Sequence, residues 1–257
     1  MASKLNYCWR VVATGFCFAL FGVGGIILST IVLPCQRLLS RDLETRQRKA
    51  RHLVHNTFRF FVGVMNTLGV IGFHIENPNE FKKLKGQLIL ANHPSLIDVV
   101  VLIAAIPSAD CVVKAHLFKN PFMRGVIKST GYISNADPEG LLQDCCKSLG
   151  QGNNLIIFPE GTRSHQGRLQ KFKRGAANIA IRCASPITSV LITMRPSTLT
   201  KGTPWYKVAP TKAHFSMAIA EEQPQPWDHN QQEPLSMQSR NLTKYLENYF
   251  QNQVANL

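Results

Sequence analysis

From Val11 to Leu33 the chain reads VVATGFCFALFGVGGIILSTIVL, with no charged residue. As a helix, this stretch would be about 34 Å long, enough to cross a hydrocarbon core of about 30 Å. A secretory signal would have a shorter apolar part and small residues at its cleavage site, whereas VLPC places Pro34 there. The pattern predicts a membrane helix within residues 1–35, either spanning or re-entrant. In residues 36–72, Leu53, Val54, Phe58, Phe61, Val62, Met65 and Leu68 recur at helical spacing, and basic residues crowd the part before Arg51. This predicts a basic amphipathic helix, either lying at the membrane surface or packed on the domain, in a segment reaching residue 80.

Residues 81–257 change rhythm. Short apolar runs read as strands: GQLILAN, CVVK (111–114), GYIS (131–134), NLIIFP (154–159), PITSVLITM (186–194) and HFSMAIA (214–220). Helical stretches separate them: 94–106, PFMRGVIKST, 138–149 and 172–184, with an amphipathic helix closing the chain over 235–250. Strand and helix alternate without a repeat. The fold class expected is α/β, a largely parallel or mixed central sheet flanked by helices and preceded by the membrane helix and the basic helix.

The net charge of +14 over 257 residues calls for an anionic partner: nucleic acid, an anionic membrane or a phosphorylated substrate. The basic residues have no aromatic interleaving and no known nucleic-acid reader motif, so no nucleic-acid partner is expected. Lys4 and Arg10 precede the apolar run, while Arg37, Arg41, Arg46, Arg48, Lys49 and Arg51 follow it. This bias places the downstream domain on the cytoplasmic face of the membrane. Seven cysteines without a CxxC predict reduced, mostly buried thiols and not a disulfide frame or zinc site. His52 and His55 lack a third ligand, so no metal site is expected.

Candidate chemistry lies just after the strands. In LILANHPSLIDVV, Pro94 fits a first helical position, which puts His93 at the N-cap and Asp98 a turn later. The carboxylate would then orient the imidazole and leave one ring nitrogen free as a base. No G-x-S-x-G or similar nucleophile motif is present, so the nucleophile is expected to be a substrate hydroxyl. A second cluster, FPEGTRS (158–164), follows another buried strand, and Arg163 suits bidentate phosphate binding. Arg168, Lys171, Lys173 and Arg174 extend its charge. Asn135 follows a third strand, so three stretches converge on the carboxyl ends of the strands, where open α/β sheets bind ligands.

NHPSLID and FPEGTRS together resemble the first and third motifs of the glycerolipid acyltransferase family, which includes 1-acyl-glycerol-3-phosphate acyltransferases. KAHLFKNPFMRGVIKSTGYI, with Lys114, Pro121, Gly125 and Gly131, resembles the segment between them, and SPITSV resembles the fourth motif with Pro186 in register. The resemblance implies transfer of a fatty acyl group from an acyl-CoA or acyl carrier protein thioester to the hydroxyl of a lysophospholipid. It implies a membrane-bound enzyme with no cofactor beyond that thioester co-substrate. His93 would be the general base and Asp98 its orienter. Lys114 and Arg163 would hold the acceptor phosphate, and Asn92, Ser95, Glu160, Gly161 and Thr162 would belong to the substrate site.

Two positions depart from the family pattern. Pro94 stands where Gln is usual, and Ser134–Asn135 stand where the second motif commonly ends in Asp-Arg. The missing arginine predicts weaker compensation of a phosphomonoester, favouring a lysophosphodiester or another acceptor. A non-glycerophosphate lipid acceptor, or a catalytically silent anionic-lipid-binding membrane protein, are the alternatives.

Overall fold

The computed structural model describes residues 2–39, 42–164, 169–224 and 233–255. Arg41 and Arg168, both named above for their charge, lie outside the described residues.

Helix α1 (Ala2–Ile27) passes through a π-helical turn (Leu28–Val32) into α2 (Leu33–Leu38). Pro34 in the first turn of α2 has no N–H to give to the turn before it. A wider turn there is the usual way a helix absorbs such a gap. The single helix expected over 36–72 does not form. Residues 36–38 end α2, Asp42 accepts from Thr45 N at 2.7 Å and caps α3 (Leu43–Thr67), and Ile71–Ile75 become strand β1. The sheet therefore starts ahead of residue 81.

The remaining elements are α4 (Pro78–Lys83), β2 (Leu88–Ala91), α5 (Asp98–Ala105), β3 (Asp110–Val113), a 3-10 turn (Ala115–Lys119), α6 (Arg124–Thr130), β4 (Ile133–Ser134), α7 (Pro138–Gly150), β5 (Leu155–Ile157), α8 (Arg174–Cys183), β6 (Ile187–Arg195), β7 (Ala213–Ile219) and α9 (Leu235–Ala255). Among the described residues the strands form one sheet of seven, in the order β1-β7-β6-β2-β5-β3-β4. It is mixed: β6, β2, β5, β3 and β4 run parallel, while β7 is antiparallel to β6 and parallel to β1.

Period-two alternation sorts the central strands between two cores. Ile89, Ala91, Ile156, Val190 and Ile192 face a cluster that includes Val54, Phe58 and Phe61 of α3 and Val101 of α5. Leu88, Leu90, Leu155, Ile157 and Leu191 face Leu149, Ala177, Leu246 and Phe250 from α7, α8 and α9.

The apolar helix lies along this body over most of its length. Trp9 Nε1 donates to Leu68 O, and the buried Arg10 donates to Pro210 O at 2.6 Å. Phe18 meets Trp205, and Phe21 packs between Phe58 and Phe61. Farther along, a Cβ on Gly25 would stand 2.7 Å from Phe122 O, and one on Gly125 would stand 2.4 Å from Ser29 Cβ. Glycine lets the backbones approach at both points.

The cysteines differ from expectation. Cys146 of α7 and Cys183 of α8 form a disulfide with a Cα separation of 4.9 Å, and Cys8 and Cys35 are exposed. Cys17, Cys111 and Cys145 are buried and free. Burial pushes the Cys111 and Cys145 thiols up to about 12, so they stay protonated and inert. Sequence spacing holds no trace of the packing of α7 on α8 that brings Cys146 to Cys183.

Candidate active site

The carboxyl end of β2 is pinned before it turns. Asn92 Nδ2 donates to Ile192 O and its Oδ1 accepts from Ile192 N, both at 2.8 Å, locking β2 to β6. Residues 93–97 then form a tight turn and α5 starts at Asp98, so His93 is not the helix N-cap. Pro94 sits in that turn. Asp98, fully buried, receives three donors: His93 Nδ1 at 2.7 Å, Ser95 N at 2.7 Å and the Ser95 hydroxyl. An ionised carboxylate only accepts, so it selects the tautomer with a proton on Nδ1 and leaves Nε2 free to take one. Burial holds the Asp98 pKa above the ordinary carboxylate value, an effect the donors from His93 and Ser95 only partly offset.

FPEGTRS closes on this turn from β5. Glu160 Oε1 accepts from His93 N at 2.7 Å, while Oε2 accepts from the Ser164 hydroxyl and from Gln170 N, each at 2.8 Å. In return, Ser164 N donates to His93 O at 2.7 Å. The two motifs thus clamp both sides of the His93 backbone. Glu160 is 1% exposed, and burial raises its pKa against those donors. The Phe158 ring stacks on the His93 imidazole with centroids 4.1 Å apart and planes 23° from parallel.

The nine residues singled out from sequence fall into two groups. Asn92, Ser95 and Glu160 are buried and engaged with protein atoms, so they brace the site and do not face a ligand. Asp98 stands behind His93, whose side chain remains 16% exposed. Gly161, Thr162, Arg163 and Lys114 remain open to solvent to varying degrees. Gly161 takes φ +65°, where glycine is favoured, in a turn closed by its N–H on Phe158 O. Arg163 Nη1 donates to Leu199 O at 3.0 Å and Thr200 O at 3.2 Å, leaving Nε and Nη2 as its remaining donors.

Asn135 has a structural part to play. Its Oδ1 accepts from Ala115 N at 2.9 Å, and its N donates to Val113 O, fixing the turn that presents Lys114. Three contributors escaped the sequence reading. Phe158 and Ser164 lay inside a recognised motif with no local sign of their partners. The Leu199–Thr200 carbonyls carried no signal.

A family model described as Acyltransferase matches residues 72–193. A chloroplastic 1-acyl-sn-glycerol-3-phosphate acyltransferase of Brassica napus is 26% identical over 191 residues, covering 69% of this chain and 52% of the relative. A 1-acyl-sn-glycerol-3-phosphate acyltransferase of Helicobacter pylori is 41% identical over 101 residues, 37% of this chain and 43% of the relative. The chain thus spans about half the length of the curated relatives it matches. The crystal structure of the 1-acyl-sn-glycerophosphate (LPA) acyltransferase of Thermotoga maritima has the same fold, with a TM-score of 0.72 at 22% identity over 99% of this chain and 97% of the other.

Proposed function

We propose that this chain, whose residues 72–193 match the Acyltransferase family model, moves a fatty acyl group from a thioester to the hydroxyl of a lysophospholipid. The observation that carries this reading is the state of Ser95, the hydroxyl that shares Asp98 with the base. Ser95 is fully buried and donates to Asp98, so it cannot be the nucleophile that His93 activates. The hydroxyl of a bound acceptor fits that part.

In the proposed reaction, His93 Nε2 takes the hydroxyl proton as the acceptor oxygen attacks the thioester carbonyl carbon. The tetrahedral intermediate collapses by breaking the carbon–sulfur bond, and the imidazolium returns its proton to the leaving thiolate. Asp98 holds the tautomer and stabilises the imidazolium. Arg163, through Nε and Nη2, and Lys114 bind the acceptor phosphate. The acceptor we favour is 1-acyl-glycerol-3-phosphate, the compound in the relatives' names. Long-chain acyl-CoA and acyl carrier protein both suit the thioester role.

Thiol release from long-chain acyl-CoA or acyl carrier protein, with and without 1-acyl-glycerol-3-phosphate, tests the reaction. Release that depends on the acceptor and disappears in His93→Ala is expected. Lipid binding without release would establish the silent lipid-binding alternative. The acceptor is tested by kcat/KM for the monoester against a lysophosphodiester. Because Asn135 caps the Lys114 turn, Asn135→Arg would disturb that turn as well as add charge, so Arg163→Lys is the cleaner probe.

The proposed membrane arrangement is monotopic. Lys4–Leu38 is long and apolar enough to cross a bilayer, with an 18-residue stretch of mean hydropathy 2.4. If it did, the domain residues lying against it, including Pro210 and the polar backbone around Phe122, would enter hydrocarbon with it. Leu5, Trp9, Val12, Phe16, Val23 and Ile27 instead form one exposed stripe at helical spacing, suited to lying in the plane of one leaflet. Cys8 and Cys35 provide a built-in test, being exposed, free and near opposite ends of the long helix. In sealed vesicles an impermeant maleimide should reach both from the same side, with Cys8→Ser and Cys35→Ser resolving the signals. Labelling from opposite sides would establish a span.

A further inference from the structure

The end of the molecule away from His93 carries a second concentration of chemistry. Arg51 donates from Nε to Thr130 O and lies 3.6 Å from Asp110. This contact ties the end of α6 and the first half of α3 to the start of β3, the sheet edge opposite the catalytic rim. There, a cavity between α2, α3 and α6 is lined by Arg37, Arg46 and Lys128 together with Gln36, Gln47 and Ser129. Among the described residues, no carboxylate lines it. Asp42, at the start of α3, accepts from Thr45 N as the helix cap. Glu44 lies off the stripe of Leu43, Arg46, Gln47 and Ala50 that faces the cavity.

Two further features set this cavity apart from a chance basic patch. On the other flank of α3, Arg48 and Lys49 line an open cleft beside His52, so basic residues stand on both flanks of the helix. At the elbow itself, Leu38 is 87% exposed, Leu39 80% and Leu43 65%. Apolar side chains projecting beside a collar of cations form the interfacial pattern that inserts among acyl chains while its charges meet anionic headgroups.

We propose that the elbow cavity binds the phosphate of an anionic phospholipid headgroup through Arg37 and Lys128, with Leu38, Leu39 and Leu43 among the acyl chains. This lipid is a bound component of the bilayer, separate from the acceptor at His93. A basic residue near an anionic membrane surface contributes about 1 kcal/mol, or about fivefold in affinity. Removing two such residues should therefore weaken retention by about 25-fold.

The test is native mass spectrometry of the full-length protein in a mild non-ionic detergent, titrated with phosphatidylglycerol or phosphatidylcholine. Wild type is expected to retain phosphatidylglycerol preferentially. Arg37→Ala with Lys128→Ala should lose that preference, and Arg37→Lys with Lys128→Arg should keep it. Arg163→Ala, at the acceptor site, should leave it intact. Two results would overturn the proposal: equal retention of both lipids by wild type, or undiminished phosphatidylglycerol preference in the double alanine variant. Full displacement by millimolar inorganic phosphate would make the site one for free phosphate and overturn the lipid assignment. The readout is binding and not turnover, so it stands or falls independently of the acyl-transfer reading.

Discussion

The catalytic rim and the helical elbow treat charge in opposite ways. At the rim, Asp98 and Glu160 are buried, and the hydrogen bonds on their oxygens come from the two motifs themselves and from Gln170 N. At the elbow, cations gather around α3 and the leucines between α2 and α3 stand in the open. The rim has to hold one imidazole in one orientation, so it supplies its own hydrogen-bond partners and is rigid before substrate arrives. The elbow suits a partner that comes from outside, and an anionic bilayer can meet both its charges and its leucines. Precision at one end and accommodation at the other follow from where the carboxylates lie.

The sharpest way to break this contrast is at the base. His93→Ala should lower kcat by about 10² to 10⁴ with little loss of stability, since the ring lies partly exposed at the rim. Stopped-flow or steady-state thiol release beside a melting curve checks both halves. A loss of fold matching the loss of rate would mean that His93 is a packing residue.

Glu160→Ala comes next. It leaves the N–H groups of His93 and Gln170 without their acceptor, at about 1–3 kcal/mol for each group that stays buried. Denaturant unfolding should show a loss of about 3 kcal/mol, and turnover should fall as the His93 backbone loosens. The sign with pH follows from burial. Because the folded-state pKa of Glu160 is raised, the native protein takes up this proton before the unfolded chain does. The Glu160 contribution to stability therefore grows as pH falls through the raised value towards the ordinary carboxylate range. The gap between wild type and Glu160→Ala should widen on mild acidification, and a narrowing gap would show that the hydrogen bonds outweigh burial.

Phe158→Leu is subtler. Aromatic stacking contributes about 0.5–1.5 kcal/mol, so its loss should cut kcat by up to about tenfold. KM should change little if the ring only steadies the imidazole. A change confined to KM would place Phe158 in substrate contact. The smallest effect is expected at the elbow: Arg37→Ala should leave turnover in neutral detergent micelles within about twofold, because nothing there touches the rim. A large loss without anionic lipid would end the distinction between the two regions.

How much was legible depended on how local the cause was. The central strands and helices fell close to their expected places because each is written in a short apolar run or period. The His93–Asp98 pair was legible from a spacing of five and from its resemblance to a known motif. The helix expected over 36–72 failed at both ends for different reasons. Asp42-Leu-Glu-Thr carries a capping signal that starts a new helix. Ile71–Ile75, IGFHI, is too short to declare itself and is a strand because the edge of β7 is there to pair with.

By itself, then, the sequence determined the α/β alternation, the apolar helix, the basic excess and the pairing of His93 with Asp98, since each is a property of neighbours along the chain. Tertiary structure alone decided which groups those side chains meet. It turned Asn92, Ser95 and Glu160 from expected ligand contacts into braces, made Asn135 a cap, and set Phe158 on the imidazole. It also joined Cys146 to Cys183 and laid the apolar helix along the domain. The physical reason is common to all of these. A buried donor or carboxylate must find its partner wherever the fold brings one, and those partners, such as Ile192 for Asn92 and His93 for Glu160, lie far away in sequence.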